Sequence, residues 1–435
     1  MNQRFPVFFS EKRPFFMEGA GIFALAGQNG DSSLRTAVHS RRIVDPIFGA
    51  KVTGSLGRVT FASLSAVDES AGRDLPADSP DAGKDRIFNL GRMQYALGPS
   101  NYVGAIVTDS AFAGGFNRVV GADMTWRLTP SQRIEGFALG SHTRAPRAAD
   151  ASSGVGAQFN YTYETQRYTA QGSVEHYDRD FQMDTAFIKR VGISSGWAFL
   201  QRNFYPDKTR YGWMRRASLF SFTQGGQDRI AGGGDVMEVA GVRFNFTRQG
   251  FLRVDRSFGF EPWAGRRYTR GRTRMFGEVQ MYRWLYVDGE FSSGRAVFYD
   301  PREPFAGNSV ESQVGTTLQP SGRLSQRLSY DRVAFDHATT GARVYTLHIV
   351  NSKTTYQFTR AFSIRSLIQF DSTQHRVLTD FLSSYEPRPG TVVYAGYGSL
   401  IERRDFRDTQ WIPGSGSYLT TRRGLFFKAS YLYRF

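Results

Sequence analysis

Along most of this chain apolar and polar residues alternate with a period of two. Val155, Ala157, Phe159, Tyr161 and Tyr163 fall on one face; Gly156, Gln158, Asn160, Thr162 and Glu164 fall on the other. The same dyad sets Val120, Ala122, Met124, Trp126 and Leu128 against Val119, Gly121, Asp123, Thr125 and Arg127. It recurs with Ala240, Val242, Phe244 and Phe246 against Gly241, Arg243, Asn245 and Thr247. Phe362, Ile364, Ile368 and Phe370 likewise oppose Ser363, Arg365 and Gln369. Neighbouring side chains of an extended chain point to opposite sides, so this period predicts β-strands with one apolar face. The end of the chain carries the pattern furthest. Leu425, Phe427, Ala429, Tyr431, Tyr433 and Phe435 share a face, with Lys428 and Arg434 on the other.

Short and long connections alternate between these strands. The turns are 98–101, 129–132, 249–250, 319–322 and 387–390, rich in Gly, Pro, Ser and Asn, which supply turn dihedrals. The long connections are 69–85, 144–154, 179–192, 224–234, 261–271, 299–308 and 402–417. Repeated dyads of about ten residues with this rhythm predict an all-β, transmembrane, antiparallel up-and-down barrel of about 22 strands, or 20 as the alternative. Turns belong to the periplasmic side and long loops outside, which puts the C-terminus at the periplasmic side of a bacterial outer membrane. The terminal aromatics resemble the signal read by barrel-assembly machinery. That machinery is one expected partner, with outer-membrane lipid and lipopolysaccharide.

Composition narrows the class. The 435 residues include no cysteine and carry a net charge of +16. Mean hydropathy is −0.40, and no apolar run reaches the roughly 18 residues of a spanning helix. Nucleic-acid binders gather their charge in runs or on one element. Here Arg is scattered, one or two per strand, and Lys occurs only at Lys12, Lys51, Lys84, Lys189, Lys208, Lys353 and Lys428, so no nucleic acid is expected. The first residues lack an apolar h-region and cleavage site, which reads as the C-terminal part of a longer exported protein.

The first 35 residues do not alternate. The stretch Arg4–Gly19, RFPVFFSEKRPFFMEG, is the most distinctive in the chain, and His39–Ile43 (HSRRI) and Gly49–Gly54 (GAKVTG) follow it. It resembles the junction motif of a bacterial family in which a periplasmic domain, similar to family 9 carbohydrate-binding modules, precedes an outer-membrane barrel. The resemblance implies residues 1–35 as a junction segment and 36–435 as the barrel, with a glycan as one expected ligand. Leaving Phe8, Phe9, Phe15 and Phe16 in water would forfeit roughly 1.5–3 kcal/mol each. Residues 4–30 are therefore expected in the periplasmic half of the lumen. There Glu11, Lys12, Arg13 and Glu18 would form a constriction, paired with charged wall residues such as Arg41 and Arg42. The competing expectation is a flexible tether.

Little points to chemistry. None of the six histidines has metal-ligand spacing, so no metal or cofactor is expected. The acidic loop 69–85 reads as solvated, without calcium-loop order. Asp336-His337 falls in a long-loop region, and a Ser/His pair on the lipid face has no distinctive support; a convergent Ser/His or Asp/His cluster would revive a hydrolase. No catalytic residue is assigned. The leading expectation is a non-enzymatic conduit or docking barrel for a glycan or anionic solute, its lumen lined by Arg127, Arg243, Arg365, Lys428 and Arg434. A closed-lumen scaffold or adhesin is the alternative, and an outer-membrane hydrolase ranks last. A transporter of the TonB-dependent kind, also of about 22 strands, would carry a longer plug than 35 residues.

Overall fold

The computed structural model describes residues 4–300, 302–407, 410–414 and 416–431. Among them 22 strand segments form one barrel, including the four-residue Gln410–Pro413, which prolongs Ser417–Ser430 against the same neighbour, Thr391–Arg407. Every registered pair is antiparallel, and along the barrel each strand from Pro46–Leu56 onward pairs with the next barrel strand in sequence, Phe187–Ile188 standing apart from it. The seam falls between Pro46–Leu56 and Ser417–Ser430. No register joins these two among the described residues, and both are exposed along most of their length. No helix is long and apolar enough to cross a membrane.

Alternation sorts the two faces. Val120, Val155 and Val174 are 50–66 % exposed on the outside, whereas Val119, Asp123 and Gln158 are at most 4 % exposed inside. Near the C-terminus Phe427 and Tyr431 stand outward, 72 % and 74 % exposed. Arg434 lies outside the described residues.

Two of the expected outer loops differ from expectation. Residues 261–271 hold a two-residue hairpin, because Ala264 and Gly265 both adopt left-handed dihedrals (φ 49° and 72°), the turn that matches strand twist. Strands therefore run to Trp263 and restart at Arg266. Residues 178–192 turn inward instead of outward. Their Phe187–Ile188 pairs with Leu34–Thr36 of the N-terminal segment, and Asn117 Nδ2 inside the wall donates to the Gln182 carbonyl at 2.9 Å.

The apolar core lies in the lumen. Leu25, Leu34 and Ala37 of the segment and Phe181, Met183 and Ala186 of the inturned loop pack on Ile106, Val119, Phe137 and Leu139 of the wall. A second cluster sets Phe16, Phe23 and Ile43 against Leu64, Phe88 and Leu90. The segment is not confined to the turn half. It starts with Arg4 beside Asp228 and Glu261 near the loop end and descends to Gly27, whose carbonyl accepts from Gln158 and Asn160. It then climbs back to Val44, whose N–H donates to Asp68. The reason is directional: strand Pro46–Leu56 runs from the loop end toward the turn at 57–58, so the segment must deliver the chain to the loop end.

Candidate functional site

The lumen has a covered wall and an uncovered one. On the covered wall Asp123 is the hub. Its carboxylate accepts from Arg92 Nη1 and Nη2 at 2.6 and 2.7 Å, from the Ala26 N–H at 2.8 Å and from Tyr102 at 3.3 Å. Both side chains of the Arg92–Asp123 pair are fully buried. Glu175 similarly accepts from the Ser33 N–H and hydroxyl.

The wall formed by Met214–Asp228, Gly233–Phe246, Gly250–Trp263, Arg266–Tyr282 and Leu285–Phe298 is different. Its turn half carries Arg216, Arg243, Arg253 and Arg274. Arg243 and Arg253 are directly opposite in the ladder, an arrangement that like charges disfavour. Aromatic rings hold the guanidinium groups in place: Arg243 lies 3.9 Å from the Phe251 centroid, Arg253 4.2 Å from Phe220 and Arg274 4.7 Å from Phe276. Asp255 is the carboxylate paired with Arg253 and Arg274, while Arg216 finds, among the described residues, the Asn245 amide oxygen at 3.4 Å. The Nε atoms of Arg216, Arg243 and Arg274 are buried and find no acceptor among the described residues. Four cations thus share one ion-paired carboxylate.

The loop half of the same wall holds a cavity of about 390 Å³ lined by Arg4, Arg190, Arg270, Arg272, Arg295, Asp235, Glu261 and Glu311, with Tyr299 and Tyr345. Glu261, 1 % exposed, accepts from Arg4 at 2.7 Å and Arg270 at 2.9 Å. Arg190 bridges Asp228 and Asp235. Burial and the neighbouring Glu261 carboxylate push the Tyr299 hydroxyl up. Five arginines meet four carboxylates, Asp228 included, and Arg295 has no ion pair among the described residues.

The expected lining residues are scattered around this ring. Arg243 stands in the arginine ladder; Arg365 donates to Asp380 at 3.2 Å; Arg127 and Lys428 are exposed on the inward alternation. Arg253, Arg270, Arg272, Arg274 and Arg295 were not anticipated. Arg270-Gly-Arg272-Thr-Arg274 places three cations at period two, a readable signal once 266–282 is taken as strand.

The expected constriction pairs locally instead of with the charged wall. Glu11 is forked by Arg13 at 2.7 Å and bonded by Ser40 at 2.6 Å, which holds its carboxyl well below the usual range. Arg13 also donates to the Ile43 and Ser40 carbonyls. A partner two residues away requires less ordering of chain than one across the lumen. Lys12 is exposed, and Glu18 meets Lys51 only at 3.9 Å. Arg41 lies over Phe9, and Arg42 donates to the Ala186 carbonyl. Of the four phenylalanines, Phe16 is buried, Phe8 packs on Phe187 and His39, and Phe9 and Phe15 remain 60 % and 39 % exposed.

Among the described residues no group of three or more His, Cys, Asp or Glu could hold a metal. Asp81, in the acidic loop, is ion-paired with Lys84 and Arg147. His337 stacks on Phe305 and Asp336 pairs with Arg343. A Ser–His–Asp chain does form on the outer face. His176 Nδ1 is 2.7 Å from Ser194 Oγ, and Nε2 is 3.1 Å from Asp178 Oδ1. The Asp178 carboxyl is held down by the Val155 N–H and His176, and Arg229 donates to Ser194 Oγ at 2.8 Å. The hydroxyl is thus tied into a row of polar groups at the loop end of the lipid-facing surface.

No family model matches the chain, and no curated protein matches it. The resemblance to a family with a carbohydrate-binding module gains nothing from these comparisons. Solved structures do match in fold. A ferric enterobactin receptor mutant from Pseudomonas aeruginosa shares 9 % identity over 85 % of this chain and 72 % of its own, with a TM-score of 0.51. The copper transporter OprC shares 10 % identity over 86 % and 75 %, with a TM-score of 0.52. The chain has the β-barrel fold of these structures, and its apolar outward face is that of a barrel set in an outer membrane.

Proposed function

We propose that this barrel is non-enzymatic and docks or passes an anionic solute along its uncovered arginine wall. The observation that carries this reading is the ladder Arg216–Arg243–Arg253–Arg274, with one ion-paired carboxylate and three Nε atoms that find no acceptor among the described residues. Clustered guanidinium groups in a partly dry wall focus a positive field and offer forked donors to carboxylate or phosphate. Ion-pairing of lumen arginines explains Arg327 with Asp288, but not Arg243. Phosphorylated or acidic glycans belong to the proposed ligand class. Ferric enterobactin, named for a receptor of similar fold, is a compound to test beside them.

The test is planar-bilayer reversal potential of the refolded chain in a KCl gradient, joined to calorimetric titration with pyrophosphate. Anion selectivity or pyrophosphate binding, reduced in Arg243→Gln/Arg253→Gln, is expected. Cation selectivity, or neither conductance nor binding, would overturn the reading and favour the scaffold, which the filling of the covered half supports.

A further inference from the structure

The outer face carries a second basic group, independent of the lumen. On Gly115–Thr129 and Gln132–Arg144 two guanidinium groups share one ring: Arg118 lies 4.5 Å and Arg144 5.0 Å from the Phe116 centroid. His142 is 5.4 Å from that ring and 2.9 Å from Ser153 Oγ. Arg118 is opposite His142 and Phe116 opposite Arg144, so all four share the outward face of Val120. A single carboxylate answers the two cations, Asp109, which accepts from Arg118 Nε at 3.0 Å. Arg144 donates to the Gly114 carbonyl at 2.9 Å.

Just below, toward mid-membrane, an open-sided groove of about 580 Å³ runs between Val107 and Val120. These valines are 54 % and 66 % exposed, and a Cβ added at Gly140 beside them would meet nothing within 4 Å. The groove lies within the lipid-facing surface and is mostly apolar, with Arg118, Asp109 and His142 at its loop end, the outer-leaflet level, and Arg144 beyond them. An anion with no hydrocarbon would use only the upper half of this site.

We propose that the patch binds a phosphorylated lipid of the outer leaflet. Its phosphate sits between Arg118 and Arg144, with one acyl chain in the Val107–Val120–Gly140 groove. Two guanidinium groups on one phosphate match its charge and its several acceptor oxygens.

The full chain, refolded in detergent, is titrated with diphosphoryl lipid A, dephosphorylated lipid A and inorganic phosphate, and complexes are read by native mass spectrometry. Diphosphoryl lipid A is expected to stay bound, with the dephosphorylated form at least about tenfold weaker, the scale of losing charge-assisted contacts. Arg118→Gln/Arg144→Gln should lose the same factor, and Val120→Trp, which fills the groove, should weaken the lipid too. Heat-modifiable gel migration reports whether each variant is a folded barrel. Equal binding of phosphorylated and dephosphorylated lipid by the unaltered chain overturns the proposal without any variant. So does undiminished binding by a folded double variant, or displacement of the lipid by inorganic phosphate at matching concentration.

Discussion

The wall from Val59 to Phe204 and the wall from Met214 to Phe298 are made of the same alternating strands, yet one is covered and the other is bare over its turn half. The difference lies in what faces inward. Leu64, Leu90, Val119 and Leu139 turn apolar side chains into the lumen, and each is at most 3 % exposed because the N-terminal segment or the inturned loop packs on it. The bare wall turns in Arg216, Arg243, Arg253 and Arg274, which water and rings can accommodate without a lid. Apolar inward positions require cover, and cationic ones repel it. The segment and its binding wall are therefore one packing unit, joined to the other wall at the loop end through Arg4 and Arg190, while the turn half of that wall stays uncovered.

The comparison breaks most severely at Asp123. Asp123→Ala leaves the Arg92 guanidinium buried without its carboxylate and frees the Ala26 N–H. A loss of about 3–5 kcal/mol is expected, the usual cost of removing one partner of a buried pair. Limited proteolysis should then remove residues 4–45 while the barrel stays resistant, and conductance should rise. A segment still protected in Asp123→Ala would mean that the apolar clusters hold it unaided.

On the bare wall the same kind of substitution should have the opposite sign. Arg243→Gln relieves repulsion from Arg253 and should leave denaturation unchanged or raise stability by about 0.2–1 kcal/mol. Thermal unfolding followed by gel migration checks this. A clear destabilisation would show the arginines to be structural ties.

Acid should loosen the covered half alone. Burial beside Phe8 and Phe187, with Arg42 and Arg41 near, lowers the His39 pKa from its ordinary value. The docked state therefore favours the neutral ring. Its contribution is complete above about pH 6.5 and shrinks as pH falls below that value toward the lowered one. Glu11, held far down by Arg13, stays charged through this window. Protease sensitivity of the segment should increase on acidification, and His39→Gln should abolish the increase; an unchanged profile in that variant would assign the effect to another group.

The smallest expected effect is at Ser194. Ser194→Ala should change neither stability nor conductance, and the unaltered protein should hydrolyse no ester above that variant's background. Turnover that depends on Ser194 would assign the His176–Asp178 chain a catalytic role.

The barrel and its outer face, with Phe427 and Tyr431 turned outward, were legible because alternation is a local property of the chain; Tyr433 and Phe435 lie outside the described residues. The division of the lumen was not read, although its trace is present. Val119-Val120 and Phe137-Ala138-Leu139 put apolar residues on both faces, which is how a strand covered on both sides reads. The Arg270, Arg272, Arg274 row was lost because glycine and charge around 261–271 looked like a loop, whereas a two-residue turn takes only Ala264 and Gly265. The pairing of Glu11 with Arg13 and Ser40 depends on how the segment folds back on itself, which no periodicity encodes.

The path of the segment also sets an order of assembly. Its docking contacts are long in sequence: Ala26 to Asp123 spans 97 positions, Ser33 to Glu175 142, and Arg4 to Glu261 257. Neighbouring strands, by contrast, are close in sequence, many joined by two-residue turns such as Ala264-Gly265. Contacts between distant positions close slowly because the intervening chain must first be gathered. The segment that precedes the strands would thus be among the last parts to find its place, Asp123 capturing its middle before Glu261 captures its start. A barrel caught midway would be walled but unfilled, with the hydrophobic groove of its own N-terminal segment still waiting for it.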